Sequence, residues 1–132
     1  MTWHAAVAVT QRPDGRVLGL TRGTNLNNIN FPGGMRERYD GSPGMTVRRE
    51  FKEETGLTIK KMKPLGVFRD GRKVVHAFQV LKWDGELKPS PEGRPVWVLP
   101  SRLTSPSSTF RWQNAALLRK VGPVVSYRSK KR

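Results

Sequence analysis

"SPGMTVRREFKEETGL", residues 42 to 57, reads as one helix with both ends written into it. Ser42 is a good N-cap because its hydroxyl accepts from an amide of the first turn. Pro43 suits the first helical position, and no breaker follows until Gly56, which fits the left-handed residue past a helix end. The pattern predicts a helix over residues 43 to 55. Val47 and Phe51, four apart, give it an apolar line to lay on a sheet, while Glu50, Glu53 and Glu54 at i, i+3 and i+4 leave from another face. Like charges at that spacing repel by a few tenths of a kcal/mol, in a chain with 10 Asp and Glu against 25 Lys and Arg. An oxygen-rich face on a rigid element suits a hard divalent cation, Mg²⁺ or Mn²⁺, whose charge offsets the repulsion. Such an ion is commonly shared with substrate phosphates, so the cluster also predicts a phosphorylated ligand. An exposed acidic face with surface salt bridges is the plainer alternative.

Upstream, "FPGG" (31 to 34) combines a fixed φ with two glycines that permit close backbone approach. "WHAAVAV" (3 to 9) and "RVLGL" (16 to 20) flank "RPDG" and predict a hairpin, and "TRGTNLNNIN" (21 to 30) reads as a polar, turn-rich loop. Downstream, "LTIKKMKPLGVF" and "KVVHAFQVLKW" around "RDGRK" predict a second hairpin, and "RPVWVL" (94 to 99) one further strand. "SRLTSPSST" reads as loop. In "FRWQNAALLRKV" (110 to 121) Phe110, Asn114, Leu117, Leu118 and Val121 form a helical stripe with one polar member, Asn114.

The chain of 132 residues and 14.9 kDa is sized for one domain, expected over 1–125, with a short basic tail at 126–132. It has no cysteine, which excludes disulfides, a thiolate nucleophile and thiolate zinc sites. No basic leader or membrane-length apolar run is present, so a soluble, cytoplasmic protein without a membrane partner is expected. A formal charge of +15 favours polyanionic partners, nucleotides or RNA among them. His4 and His76 sit in strand-like runs with no matching ligand pair and read as structural.

"GGMRERYDGSPGMTVRREFKEETGL" (33 to 57) resembles the Nudix box, G-x5-E-x7-R-E-U-x-E-E-x-G-U, where U is bulky and apolar. Arg49, Glu50, Phe51, Glu53, Glu54, Gly56 and Leu57 fill its second half in register. The first half departs: counting from Gly34, the acid is Asp40 instead of Glu, and the loop from it to Arg49 is one residue longer than the pattern. "LTRG", "FPGG", "PEGRPVW" and "FRWQN" are similar to segments of MutT-type nucleoside triphosphate pyrophosphohydrolases. The resemblance implies an α/β/α sandwich with a mixed β-sheet between helices. It implies metal binding by Glu50, Glu53 and Glu54 with the Gly34 carbonyl, orientation of the glutamates by Arg49, and Glu53 or Glu92 as the base that assists attack of water on phosphorus.

By the same resemblance Asn114 is the candidate for reading a purine, including an oxidised one, although an Asn bridging its helix to a loop has the same chemistry. Phe31 and Trp112 carry rings that either stack on a base or fill the core. Arg22, Arg36, Arg38 and Arg48 flank the box and are candidates for phosphate contacts. The expected activity is hydrolysis of a nucleoside triphosphate, such as 8-oxo-dGTP, to monophosphate and pyrophosphate. The alternatives are hydrolysis of RNA 5′ ends or dinucleotides, and a nucleotide- or RNA-binding module weakened by the altered loop.

Overall fold

The computed structural model describes residues 2–121; the basic tail expected at 126–132 lies outside them. Among the described residues seven strands are present, β1 (Ala5–Thr10), β2 (Val17–Arg22), β3 (Asn25–Asn30), β4 (Gly33–Met35), β5 (Thr58–Asp70), β6 (Lys73–Asp84) and β7 (Pro95–Val98). Among the same residues two α-helices, α1 (Pro43–Thr55) and α2 (Arg111–Val121), and a 3-10 turn at Pro100–Leu103 accompany them.

The strands form two sheets. One is mixed, in the order β4-β1-β6-β5, with β1 parallel to β6 (Ala5 opposite Val75 through Thr10 opposite Val80) and its other pairs antiparallel. The other is antiparallel, in the order β3-β2-β7. Alternation along β1 sends Ala6 and Ala8 to one face, where Val47 and Phe51 of α1 pack with Leu18, Phe78 and Val80. Val9 goes to the opposite face, with Ile29, Phe31 and Leu117 of α2. The mixed sheet thus lies between the two helices, as the two-fold period of a doubly covered strand requires. The alanines of β1 keep α1 close, and Phe51, with no exposed surface, anchors it; truncating such a ring costs about 3–5 kcal/mol.

The helix ends are those read from sequence. Ser42 Oγ accepts from Met45 N at 3.2 Å, Pro43 opens α1, and Gly56 has φ +83 with its amide donating to Lys52 O. The hairpin at "RDGRK" is also present, with Gly71 at φ +65. Two expectations fail. β1 and β2 do not form a hairpin: "RPDG" closes a turn (Arg12 N to Arg16 O, 2.8 Å) and one bridge joins Gln11 to Val17. β2 then leaves for the second sheet, because β1 is already paired on both sides by β4 and β6. Nor is "TRGTNLNNIN" a loop. Residues 25–30 form β3, where Asn28 and Asn30 are satisfied by tertiary hydrogen bonds that composition does not show. Within "SRLTSPSST", residues 101–103 belong to the 3-10 turn.

Candidate active site

The site is assembled where β4, α1 and the turn before β7 meet. β4 brings Gly33 and Gly34 alongside β1, and a Cβ on Gly33 would run into the backbone of Ala6 and Val7. A Cβ on Gly34 would occupy the space of the Glu50 carboxylate, so the side chain from α1 lies directly on the glycine backbone. Gly33 N–H donates to Glu54 Oε1 at 2.8 Å, fixing the second glutamate. The third acid arrives from a distant segment. Residues 90–93 fold into a tight turn (Ser90 N to Gly93 O, 2.9 Å) sewn to β2 by Thr21 N to Arg94 O and Gly23 N to Glu92 O. Gly93 lies so close to the Thr21 carbonyl that no side chain fits there.

Carboxylate oxygens of Glu50, Glu54 and Glu92 lie within 4.8 Å of one another. Glu54 is buried, Glu50 half-buried and Glu92 exposed. Burial pushes the Glu54 carboxyl up to about 9, against the Gly33 hydrogen bond and helped by the neighbouring Glu92 and Glu50. Glu50 is raised too, first by burial and then by Glu53, while Arg49 pulls the other way. Three convergent carboxylates, two of them penalised for carrying charge, fit a hard divalent cation, which would remove that penalty.

Arg49 organises the helix side of the site. Its Nη1 donates to Glu50 Oε2 (3.2 Å) and Glu53 Oε1 (3.3 Å), and its Nη2 to the Met35 carbonyl (3.1 Å). Its strongest partner is Asp40, which accepts from Nε at 3.2 Å and Nη2 at 2.8 Å. Asp40, 4% exposed, also accepts from Thr46 Oγ1 (2.8 Å) and Glu37 N (2.9 Å). The Arg49 guanidinium holds Asp40 well below the ordinary carboxylate range, and Asp40 in turn raises Arg49. The shortened acid is therefore compensated. Glu37–Asp40 forms a closed turn (Asp40 N to Glu37 O, 2.9 Å) that carries the shorter side chain to the arginine.

Glu53 rides on the same helix, but its side chain is 57% exposed and faces Arg49, outside the Glu50–Glu54–Glu92 group. A cavity of about 320 Å³ runs alongside Gly33 and Gly34, and Arg22, Phe31 and Asn114 line it. Phe31 is buried, so one ring serves both core and cavity. Asn114 spends its Nδ2 on Asn30 Oδ1 (3.0 Å) and the Leu103 carbonyl (2.9 Å), and its Oδ1 has no donor among the described residues. Arg36 does not line the cavity; it stacks over Trp3 at 4.3 Å. Arg48 is spent on the Ile59 carbonyl (2.8 Å) of β5, and Arg38 is exposed. Trp112 is 74% exposed beneath Arg111, away from the cavity. His4 is structural, its Nδ1 accepting from Val74 N.

Two groups carry structural roles that the sequence pattern does not announce. Asp40 counts in the sequence only as a departure from the pattern; its pairing with Arg49, nine residues on and in the middle of α1, depends on how the loop folds. Asn30 and Asn28 lie in the segment whose composition predicts a loop. Asn30 Oδ1 accepts from Phe110 N and Asn114 Nδ2, while its Nδ2 donates to Asn28 Oδ1 (2.8 Å). The i, i+2 repeat of Asn in "NNIN" was the available signal for a strand with one polar face.

A NUDIX domain model matches residues 1–121. The chain belongs to the NUDIX domain family. As a Nudix hydrolase it acts on phosphoanhydride bonds. No curated protein matches it in sequence. Among solved structures it is similar to a MutT protein from Methanosarcina mazei Go1, with 27% identity and a TM-score of 0.67, covering 90% of this chain and 94% of that one. It is similar to MutT from Bacillus halodurans at 25% identity and a TM-score of 0.68, covering 86% and 80%. The NUDIX domain of Shewanella oneidensis NrtR, complexed with ADP ribose, shares the fold at 20% identity and a TM-score of 0.70, covering 92% and 88%. The mixed sheet flanked by two helices is thus the family's fold. Among the described residues no helix is long and apolar enough to cross a membrane.

Proposed function

We propose that this Nudix hydrolase is a divalent-cation-dependent pyrophosphohydrolase that cleaves a nucleoside triphosphate to monophosphate and pyrophosphate, with oxidised purines such as 8-oxo-dGTP among its substrates. The observation that carries the reading is the convergence of Glu50, Glu54 and Glu92 within 4.8 Å, beside a cavity lined by Arg22, Phe31 and Asn114. Glu50, Glu54 and Glu92 would hold Mg²⁺ or Mn²⁺, with the Gly34 carbonyl as a further oxygen. When bound, the cation neutralises the polyphosphate and lowers the pKa of a water.

The chain's own residues do the rest. Glu54, pinned by the Gly33 amide, and Glu50, pinned by Arg49, present their oxygens without rotational search. Arg49 is a positioning residue, since its donors are spent on Asp40, Glu50, Glu53 and Met35 O. Glu92, exposed and not carried by α1, takes the proton of the attacking water. Glu53, held at the solvent edge by Arg49, supplies a carboxylate on the outer side of the site. Arg22 at the cavity wall meets the phosphates. Phe31 offers a ring to the base and Asn114 Oδ1 an acceptor to a base N–H.

The test is a hydrolysis panel with Mg²⁺ or Mn²⁺, covering ordinary and oxidised nucleoside triphosphates, ADP-ribose, nucleoside diphosphate sugars and capped RNA. Monophosphate and pyrophosphate are expected from triphosphates, and Glu54→Gln and Glu92→Gln are each expected to lower kcat by about 100-fold or more. Undiminished turnover in both variants would sink the assignment. Preference for ADP-ribose over every triphosphate would move the reading to nucleoside diphosphate-linked substrates.

A further inference from the structure

The outer edge of the mixed sheet carries charge that neither the fold nor the active site uses. β5 is an edge strand, and Lys60, Lys61 and Lys63 are exposed on it. In the β5–β6 register Lys61 stands directly opposite Lys82, also exposed, and like charges facing one another across a strand pair are destabilising. Among the described residues only Lys60 of these four has an acidic partner, Asp84 at 3.5 Å between two exposed side chains. Lysines on an edge strand guard against strand pairing with other chains. That role does not require Lys61 and Lys82 to face one another, and this corner, past the last β1–β6 pair at Val80, carries four lysines against one acid, Asp84.

Beside these cations lies an aromatic surface. Trp83, half-buried, lines with Lys60, Lys82 and Asp84 an open hollow of about 390 Å³. Trp97 is 5.7 Å from it, centroid to centroid, and carries Arg12, whose own charge is held by Asp14 at 2.6 Å. The indole N–H of Trp3 donates to Thr46; those of Trp83 and Trp97 have no acceptor among the described residues. Cations that track a phosphate backbone, next to a ring recessed in a hollow, are the two elements with which proteins hold unpaired nucleotides.

We propose that this β5–β6 edge docks single-stranded nucleic acid, with Lys61, Lys63 and Lys82 on phosphates and one base stacked at Trp83. A duplex keeps its bases stacked inside and cannot offer one to Trp83. An acidic bilayer would meet the lysines but cannot enter the hollow. The docked strand relieves the Lys61–Lys82 repulsion as a cation relieves that of the glutamates.

The test is fluorescence anisotropy of a labelled oligouridylate of about 12 nucleotides, within the footprint of such surfaces, titrated with the full chain at several salt concentrations. The Lys61→Gln/Lys82→Gln double variant should weaken binding at low salt by about tenfold or more. It should also flatten the slope of log K against log salt by about 1.4, two phosphate contacts at about 0.7 each. Trp83→Leu should weaken binding by about 5- to 100-fold with the slope unchanged. Trp83→Phe, which keeps the packing, should fall between Leu and the parent chain, so a poorly folded Leu variant does not decide the matter. Nucleotide hydrolysis should be unchanged in the lysine variant, which separates this surface from the active site. The proposal is overturned if the parent chain does not bind the oligonucleotide at low salt, or if the lysine and Trp83 variants bind with unaltered affinity and slope. It is equally overturned if duplex DNA or phosphatidylserine vesicles bind as tightly and respond to the Trp83 change in the same way.

Discussion

Replacing Asp40 by Asn tests whether the altered loop is a working part of the site. The change keeps shape and removes charge, so two Arg49 donors at 3.2 and 2.8 Å lose their carboxylate. The amide also turns an N–H toward Thr46 Oγ1, Glu37 N or Arg49, each of which donates to the carboxylate in the parent chain. The pair is well shielded, with 2% of the Asp40 side chain and 17% of the Arg49 side chain exposed. Removing one partner of a shielded, hydrogen-bonded pair costs about 3 kcal/mol. In a chain of this length that lowers Tm by about 10 °C. The pH dependence gives a second signature. Asp40 is depressed in the folded state, so its stabilisation is fully present above the ordinary value of 3.8 and is lost as pH falls below it. The Tm gap between parent and Asp40→Asn should therefore stay constant from about pH 7 to pH 5 and narrow only in stronger acid. Arg49, released from one side, no longer fixes Glu50, so kcat should fall by about tenfold or more while the cation-free fold persists. Differential scanning calorimetry across pH, paired with steady-state kinetics, measures both. A Tm within about 2 °C of the parent at neutral pH, or activity equal to the parent's, would refute the argument.

Other perturbations follow from the same geometry. Glu54, raised to about 9, stabilises the fold only while protonated, fully below its ordinary value of 4.5, and this is lost as pH rises toward 9; Tm in chelator should therefore decline across that window, and saturating Mg²⁺ should flatten the decline, as thermal melts with and without the cation will show. Gly34→Ala places a methyl where the Glu50 carboxylate lies, so cation affinity measured by calorimetric titration should drop by about tenfold or more with the strand pairing of β4 retained in the amide exchange pattern. Asn30→Ala removes the acceptor of both Phe110 N and Asn114 Nδ2; it should cost about 1–3 kcal/mol of stability and raise KM for nucleoside triphosphates more than it lowers kcat.

What could be read from the chain beforehand divides along a physical line. The α1 boundaries, the Gly71 hairpin and the line of Val47 and Phe51 depend on local geometry and period, so residues next to one another in sequence determine them. The parting of β1 from β2 does not, because it is decided by β6, more than sixty residues away, claiming the free side of β1 in parallel. β3 escaped for a related reason: its asparagines look like turn residues until α2 and the segment before it supply their partners. At the site, spacing placed three glutamates on one helix, but which of them converge is set by where Gly34 lets Glu50 lie and where the Ser90–Gly93 turn delivers Glu92. Asp40 looked like damage because sequence counts residues, while the loop works by reach.

The crowding of acids has a consequence at longer range. Asp40, Glu50, Glu53, Glu54 and Glu92 are five of the ten acids in the chain, gathered at one site, which leaves five for the whole remainder of a protein with 25 Lys and Arg. From a Debye length away a polyphosphate meets a positive body and is drawn in, yet over the last few ångströms it meets a negative floor. The sign of the field reverses along the approach. Under the proposed function this layout would favour a polyphosphate that arrives with its counter-ion over a bare one.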